Sequence, residues 1–206
     1  MDIEIPPDTT VRSLVETVVP ELHARLVPDG GPGDTFTVTV RIEDTGDWTV
    51  RIVGREMRVT EGAADKPTLW LYTTTRAVEL FLDDATGPKR FLPRFDAAGG
   101  AAVISDPRLV KRAALATGRI ELAMTDDEGE RVGIVFGFGA AARKRIDPDD
   151  ADVVIETGAA TIDRMLAGTL APEEALADGD VKVRGNRMLA MQLALAVAPF
   201  YPKKPR

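Results

Sequence analysis

No cysteine occurs anywhere in the 206 residues, which excludes a disulfide framework, thiolate metal sites and thiol catalysis together. Histidine occurs once, as His23, so neither a catalytic triad of the usual kind nor an imidazole metal cluster can be assembled. Positive charge is in deficit: 26 Lys and Arg stand against 33 Asp and Glu, a formal net charge of -7. Nucleic-acid binding draws most of its affinity from basic groups on phosphates, so that function class is disfavoured. No apolar run approaches the roughly 20 residues that span a bilayer. The opening stretch MDIEIPPDTT is acidic and proline-containing, unlike a secretory signal. These absences lead to the expectation of a cytoplasmic protein without integral membrane contact. The Ala, Arg, Asp and Val bias suits a GC-rich bacterial genome.

What is present is an ordinary globular composition, 44% hydrophobic and 29% charged, long enough for one large or two small domains. From Thr9 to Leu26, Val11, Leu14, Val15, Val18, Leu22 and Leu26 recur at helical spacing, with Pro20 expected to kink the helix and His23 off the apolar stripe. After the breaker PDGGPGD come two alternating β-branched runs, FTVTVRIED and WTVRIVG, flanking DTGD, a hairpin pattern. EMRVTEG and PTLWLYT read as further strands, followed by a helix from about Thr74 to Asp84 with Thr73 or Thr74 as its cap.

The same order then recurs. RIELAMTDD and ERVGIVFGFG form a second hairpin, ADVVIET a strand, and TIDRMLAG a helix. A shift of 84 residues lays Phe36 on Ile120, Trp48 on Val132, Leu69 on Val153 and Leu82 on Leu166. Further on a shift of 80 lays Gly99 on Gly179, Val103 on Val183, Leu109 on Leu189 and Leu115 on Leu195. The match lies in element order and apolar register, and it predicts two tandem α+β units, 1–106 and 107–206. A helix at 107–117 closes the first unit where the second should open, so it is shared or one unit lacks it.

The closing stretch LADGDVKVRGNRMLAMQLALA carries an apolar helix behind a Gly-Asn pair, with Asn186 as a good N-cap. At 100° per residue Met188, Met191, Gln192 and Leu195 share one face, while Leu189, Leu193, Ala196 and Val197 cover the other. Such a helix is expected to be buried on both sides. The second set fits a sheet. The first, Met-rich and carrying one amide, either packs against the other half or lines an apolar ligand cavity in which Gln192 orients a polar group.

Residues 151–198 resemble the sterol-binding domain of the type-two sterol carrier protein family. The residues that carry this are ADVVIET, then Leu166, Gly168, Leu170, Pro172, Ala175 and Gly179, the strand VKV, Gly185-Asn186 and LAMQLAL. The first half departs further: Asp84 stands in the place of Gly168, Ser105-Asp106 replaces Gly-Asn, and PKRFLPRFDAAGG is inserted. The resemblance implies a mostly antiparallel sheet of about five strands per unit, covered on one face by helices, with an apolar tunnel between. It implies non-catalytic carriage of a lipid or other hydrophobic small molecule. The candidate ligand-binding set is Ile134, Phe136, Met165, Leu170, Met188, Met191, Gln192 and Leu195, with no catalytic residue, metal or cofactor.

Other patterns carry less. Gly137, Gly139 and Ala142 imitate a dinucleotide fingerprint, but Pro148 leaves barely two helical turns behind them, and a strand bend explains the glycines. Asp147, Asp149, Asp150 and Asp152 lack the Gly and Glu of a calcium loop and read as a solvated turn. His23, beside Glu21 and Arg25, reads as a surface residue. The basic tail YPKKPR reads as a loose terminus. Two alternatives to a carrier stay open: a pairing module, with a homo-oligomer, and an enzyme using Asp163 or Glu156 at the cavity rim.

Overall fold

The computed structural model describes residues 5–26, 35–53, 56–82, 117–125, 129–143, 151–167 and 169–197. Residues 107–116 of the expected helix, the first-half partners in the 80-residue alignment, Asp84, Gly168, the inserted segment, Asp147 to Asp150, and the basic tail lie outside the described residues. So do the side chains of Phe81, Leu166, Leu193 and Leu195.

The chain opens with a short helix α1 (Val11–Ser13), capped by Thr10, whose hydroxyl accepts from the Ser13 amide. It continues through a π turn (Leu14–Val18) into α2 (Val19–Leu26). The kink expected at Pro20 is absorbed by that turn. Pro20 has no N–H to offer a helical carbonyl, and the extra residue lets the Val19 amide reach Leu14 instead. One inserted residue rotates everything after it by roughly 100°. His23 is therefore not at the surface as its spacing predicts; it is buried at 5% exposure.

The strands follow as β1 (Thr35–Glu43), β2 (Gly46–Val53), β3 (Glu56–Glu61) and β4 (Leu69–Thr74), then α3 (Thr75–Leu82). Asp44, at φ 62°, turns the first hairpin, a left-handed conformation that Asp tolerates. Thr74 caps α3 by accepting from the Ala77 amide. The remaining elements are β5 (Gly118–Thr125), β6 (Arg131–Phe138), β7 (Val153–Gly158), α4 (Ala159–Leu166), α5 (Pro172–Asp178), β8 (Val181–Gly185) and α6 (Arg187–Val197).

The expectation of two sheets of about five strands gives way to one mixed sheet of eight, ordered β3-β2-β1-β4-β6-β5-β7-β8. Its seam is the antiparallel ladder between β4 and β6, where Leu71 faces Phe136. β1–β4 and β5–β7 are the parallel pairs, and the other ladders are antiparallel. Strand alternation puts Val38, Val40, Trp48, Leu71, Phe136, Ile134, Leu122 and Ile155 on one continuous apolar face. Helices pack on that face. Val15 and Val78 meet Ile42 and Trp48 at one end, and Leu189 meets Ile120 and Val153 at the other. On the opposite face a 3-10 turn (Gly139–Arg143) brings Ala142 onto Trp70, Tyr72 and Val135. The Gly137–Gly139 pattern thus ends a strand and turns the chain, with Gly139 at φ 58°, and opens no helix of the dinucleotide kind.

Candidate apolar ligand site

Where β5, β6 and β7 run together, the described residues cover the apolar face incompletely and leave a pocket of about 270 Å3. Its floor is Leu122, Met124, Val132, Ile134, Ile155 and Thr157. Ala77 of α3 and Ile162 of α4 stand at the sides. Leu122 and Ile134 retain 45% and 37% exposure, unusual for large aliphatics at the middle of a sheet face. Polar groups at the floor are already engaged. The Thr157 hydroxyl donates to the Asp180 carbonyl at 3.2 Å, and the Thr73 hydroxyl beside the pocket donates to the Gly133 carbonyl at 3.0 Å. Such a surface can recognise only apolar matter. Its volume lies slightly below the range of about 300–1,000 Å3 for drug-sized ligands, so a long ligand would project from it.

Three devices fix the elements around this part of the sheet. The first is the Gly185-Asn186 corner. Gly185 has φ 89°, and a Cβ there would collide with the Asp152 carbonyl oxygen. The Asn186 amide donates to that same carbonyl at 2.7 Å, while its side-chain oxygen caps α6 by accepting from the Leu189 amide at 3.2 Å. Asp152, read from sequence as part of a solvated turn, is in fact a staple: its carboxylate accepts from the Arg119 amide at 2.8 Å. The second is the seating of Leu189, one of whose methyls fills the space that a Cβ on Gly118 would need. The third crosses the seam. Arg76 of α3 forms a two-pronged pair with Glu130, at 2.9 and 2.8 Å. This pair is over a third exposed on both sides, so Arg76→Ala is expected to lower stability by no more than about 1 kcal/mol, and less at high salt. Urea denaturation at two ionic strengths checks this.

The residues singled out from sequence are dispersed. Ile134 lines the pocket, and Phe136 continues the same face, stacked on Phe138 with ring centroids 6.3 Å apart. Met165 is half-buried on α4, and Leu170 is buried at 5% exposure. Met188 and Met191 are 62% and 55% exposed, and Gln192 is exposed as well. The expectation that α6 is buried on both sides is corrected here. Leu189 alone of its first turn is sunk into the sheet, and the methionine face looks outward. Sequence reasoning misses Leu122, Met124, Val132, Ile155 and Ile162. Their only sequence signal is the apolar alternation shared by every strand, and what singles them out is incomplete cover.

Residues 103–197 match the model of the SCP-2 sterol transfer family. The matched segment runs through β5 to α6. It contains all of the pocket except Ala77. Solved structures similar to the chain include an apo sterol carrier protein 2 from Yarrowia lipolytica, at 18% identity and TM-score 0.32, covering 46% of this chain and 78% of that one. Another is sterol carrier protein 2-like 2 from Aedes aegypti, at 17% and 0.30, covering 47% and 94%. The conserved hypothetical protein TT1886 from Thermus thermophilus gives 21% and 0.29, covering 50% and 82%. No curated protein matches in sequence.

Proposed function

We propose that the chain binds a lipid or sterol-like molecule in the pocket over β5, β6 and β7, without chemistry of its own. The observation that carries this is the apolar floor left open at Leu122 and Ile134 inside the segment that matches the sterol transfer family. Each buried CH2 contributes about 0.8 kcal/mol, so a modest chain length yields measurable affinity. The enzyme reading is weakened by Glu156. It alternates with the pocket residues Ile155 and Thr157, so it projects from the opposite face, where it pairs with Arg184. Among the described residues no cluster of three or more potential metal ligands forms.

Leu122→Glu is the direct test. A carboxylate in the floor is expected to weaken uptake of a fluorescent fatty acid at least about tenfold, a change of about 1.4 kcal/mol. Stability should change by under about 1 kcal/mol, because the position is nearly half exposed. Unchanged uptake by a folded variant would remove the pocket from the account.

The exposed Met188 and Met191 favour a second reading, in which the outer face of α6 pairs with another copy of the chain. Sedimentation across a concentration series separates the two. The tandem organisation, with units 1–106 and 107–206, is part of the same proposal. Two structural coincidences support it. α3 and α4 span the same eight positions 84 residues apart, and the hairpin pairs Val40–Trp48 and Met124–Val132 are offset by that same number. The parallel ladders differ by a slip of two residues, which preserves the faces.

A further inference from the structure

The two halves place corresponding residues on the same scaffold but finish them differently. Val40, Trp48, Thr75 and Val78 occupy the positions held 84 residues later by Met124, Val132, Ala159 and Ile162. In the second half, Met124, Val132 and Ile162 border the open pocket. In the first half the side chains at 40, 48 and 78 line no pocket among the described residues; the opening of about 600 Å3 on that side lies between α1 and α3, lined by Thr10, Val11, Thr45, Thr75, Glu79 and Leu82. Trp48 is 1% exposed and packs with Val15, Ile42 and Val78. The floor residues repeat the contrast. Val38 and Val50 are 8% and 7% exposed, whereas their counterparts Leu122 and Ile134 are 45% and 37% exposed.

We infer that the first half carries a closed counterpart of the ligand pocket, in which the Trp48 indole is a resident plug standing where bound apolar matter sits in the second half. The plug is anchored at its polar edge, as a buried indole requires. Its Nε1–H donates to the Glu16 carboxylate at 2.8 Å, and the Arg12 guanidinium, paired with that carboxylate at 3.0 Å, lies 5.8 Å from the ring centroid. The indole thus meets an apolar floor with its body and a polar rim with its edge, the usual division in a small-molecule site. At the position of the plug the first half consequently takes no apolar ligand until Trp48 is shortened.

This rests on the correspondence of the halves and on the pocket of the preceding section, and the experiment separates the two. Methyl NMR of the full chain is followed while benzene is added, since a dry apolar cavity of about 150 Å3 takes it up. In Trp48→Val, which copies the residue at 132, saturable shifts are expected at Val15, Ile42 and Val78, where the unsubstituted chain shows none. A folded Trp48→Val whose first-half methyls stay still overturns the inference. Should that variant fail to fold, Val132→Trp decides. A tryptophan there is expected to fold and to abolish the benzene response of Met124 and Ile162, and an undiminished response overturns the inference. Fatty-acid uptake by the unsubstituted chain is scored separately. Its absence removes the lipid reading, while the first-half response to Trp48→Val still stands or falls by itself.

Discussion

Replacing Trp48 by alanine is expected to lower the unfolding free energy by about 3–5 kcal/mol, the range for deleting a buried tryptophan. The side chain is among the most buried in the protein and joins the N-terminal helical segment to β1 and β2 through Val15 and Ile42. Its loss removes the contacts that hold that segment down, and it also strips the Glu16 carboxylate of its indole donor. For a chain of this length each kcal/mol corresponds to roughly 2–4 °C in Tm, so the midpoint should fall by about 6–20 °C. Thermal unfolding followed by circular dichroism measures it. A shift under about 2 °C would mean that the first-half core does not depend on this ring.

Gly185→Ala is the second large effect, and its cause is backbone geometry. At φ 89° an L residue is strained, by roughly 1–2 kcal/mol. The added methyl would also press on the Asp152 carbonyl, a backbone atom that cannot swing aside. Relief requires moving β7 away from β8 or unseating Asn186, which would release the cap of α6. A total loss of about 3 kcal/mol is expected, in the upper part of the single-substitution range. Hydrogen exchange should localise it, with the Leu189 and Ala190 amides losing protection first. Uniform protection with an unaltered Tm would show that the corner is slack.

Much of the scaffold is legible from letters because short-range rules govern it. Alternation in FTVTVRIED and WTVRIVG, and again in the second hairpin, identifies β1, β2, β5 and β6, and Asn186 before an apolar run announces the start of α6. Strand pairing across the seam is not legible. Nothing local in LWLYTT or RVGIVFGF says that the two will be neighbours, because the pairing joins segments over 60 residues apart. Spacing misplaces His23 because a π turn breaks the phase on which helical periodicity depends, and the turn's only trace in sequence is Pro20. Of the site, Ile134 enters through the family resemblance, whereas Leu122 and Ile155 look like any other strand aliphatics. Openness is a property of what sits above a residue, and a periodicity cannot report it. Met188 and Met191 illustrate the converse: an apolar helix suggests neighbours on all sides, and among the described residues these two methionines have few.

The β4–β6 ladder carries an implication for anyone who would dissect this chain. Cutting between the halves would strip β6 and β4 of five facing residue pairs and leave each fragment with a naked row of amides and carbonyls. Such fragments would clump or swap strands. The two portions are therefore not beads on a string but one fabric, and strain introduced at either margin of the weave has a route of backbone hydrogen bonds to the other.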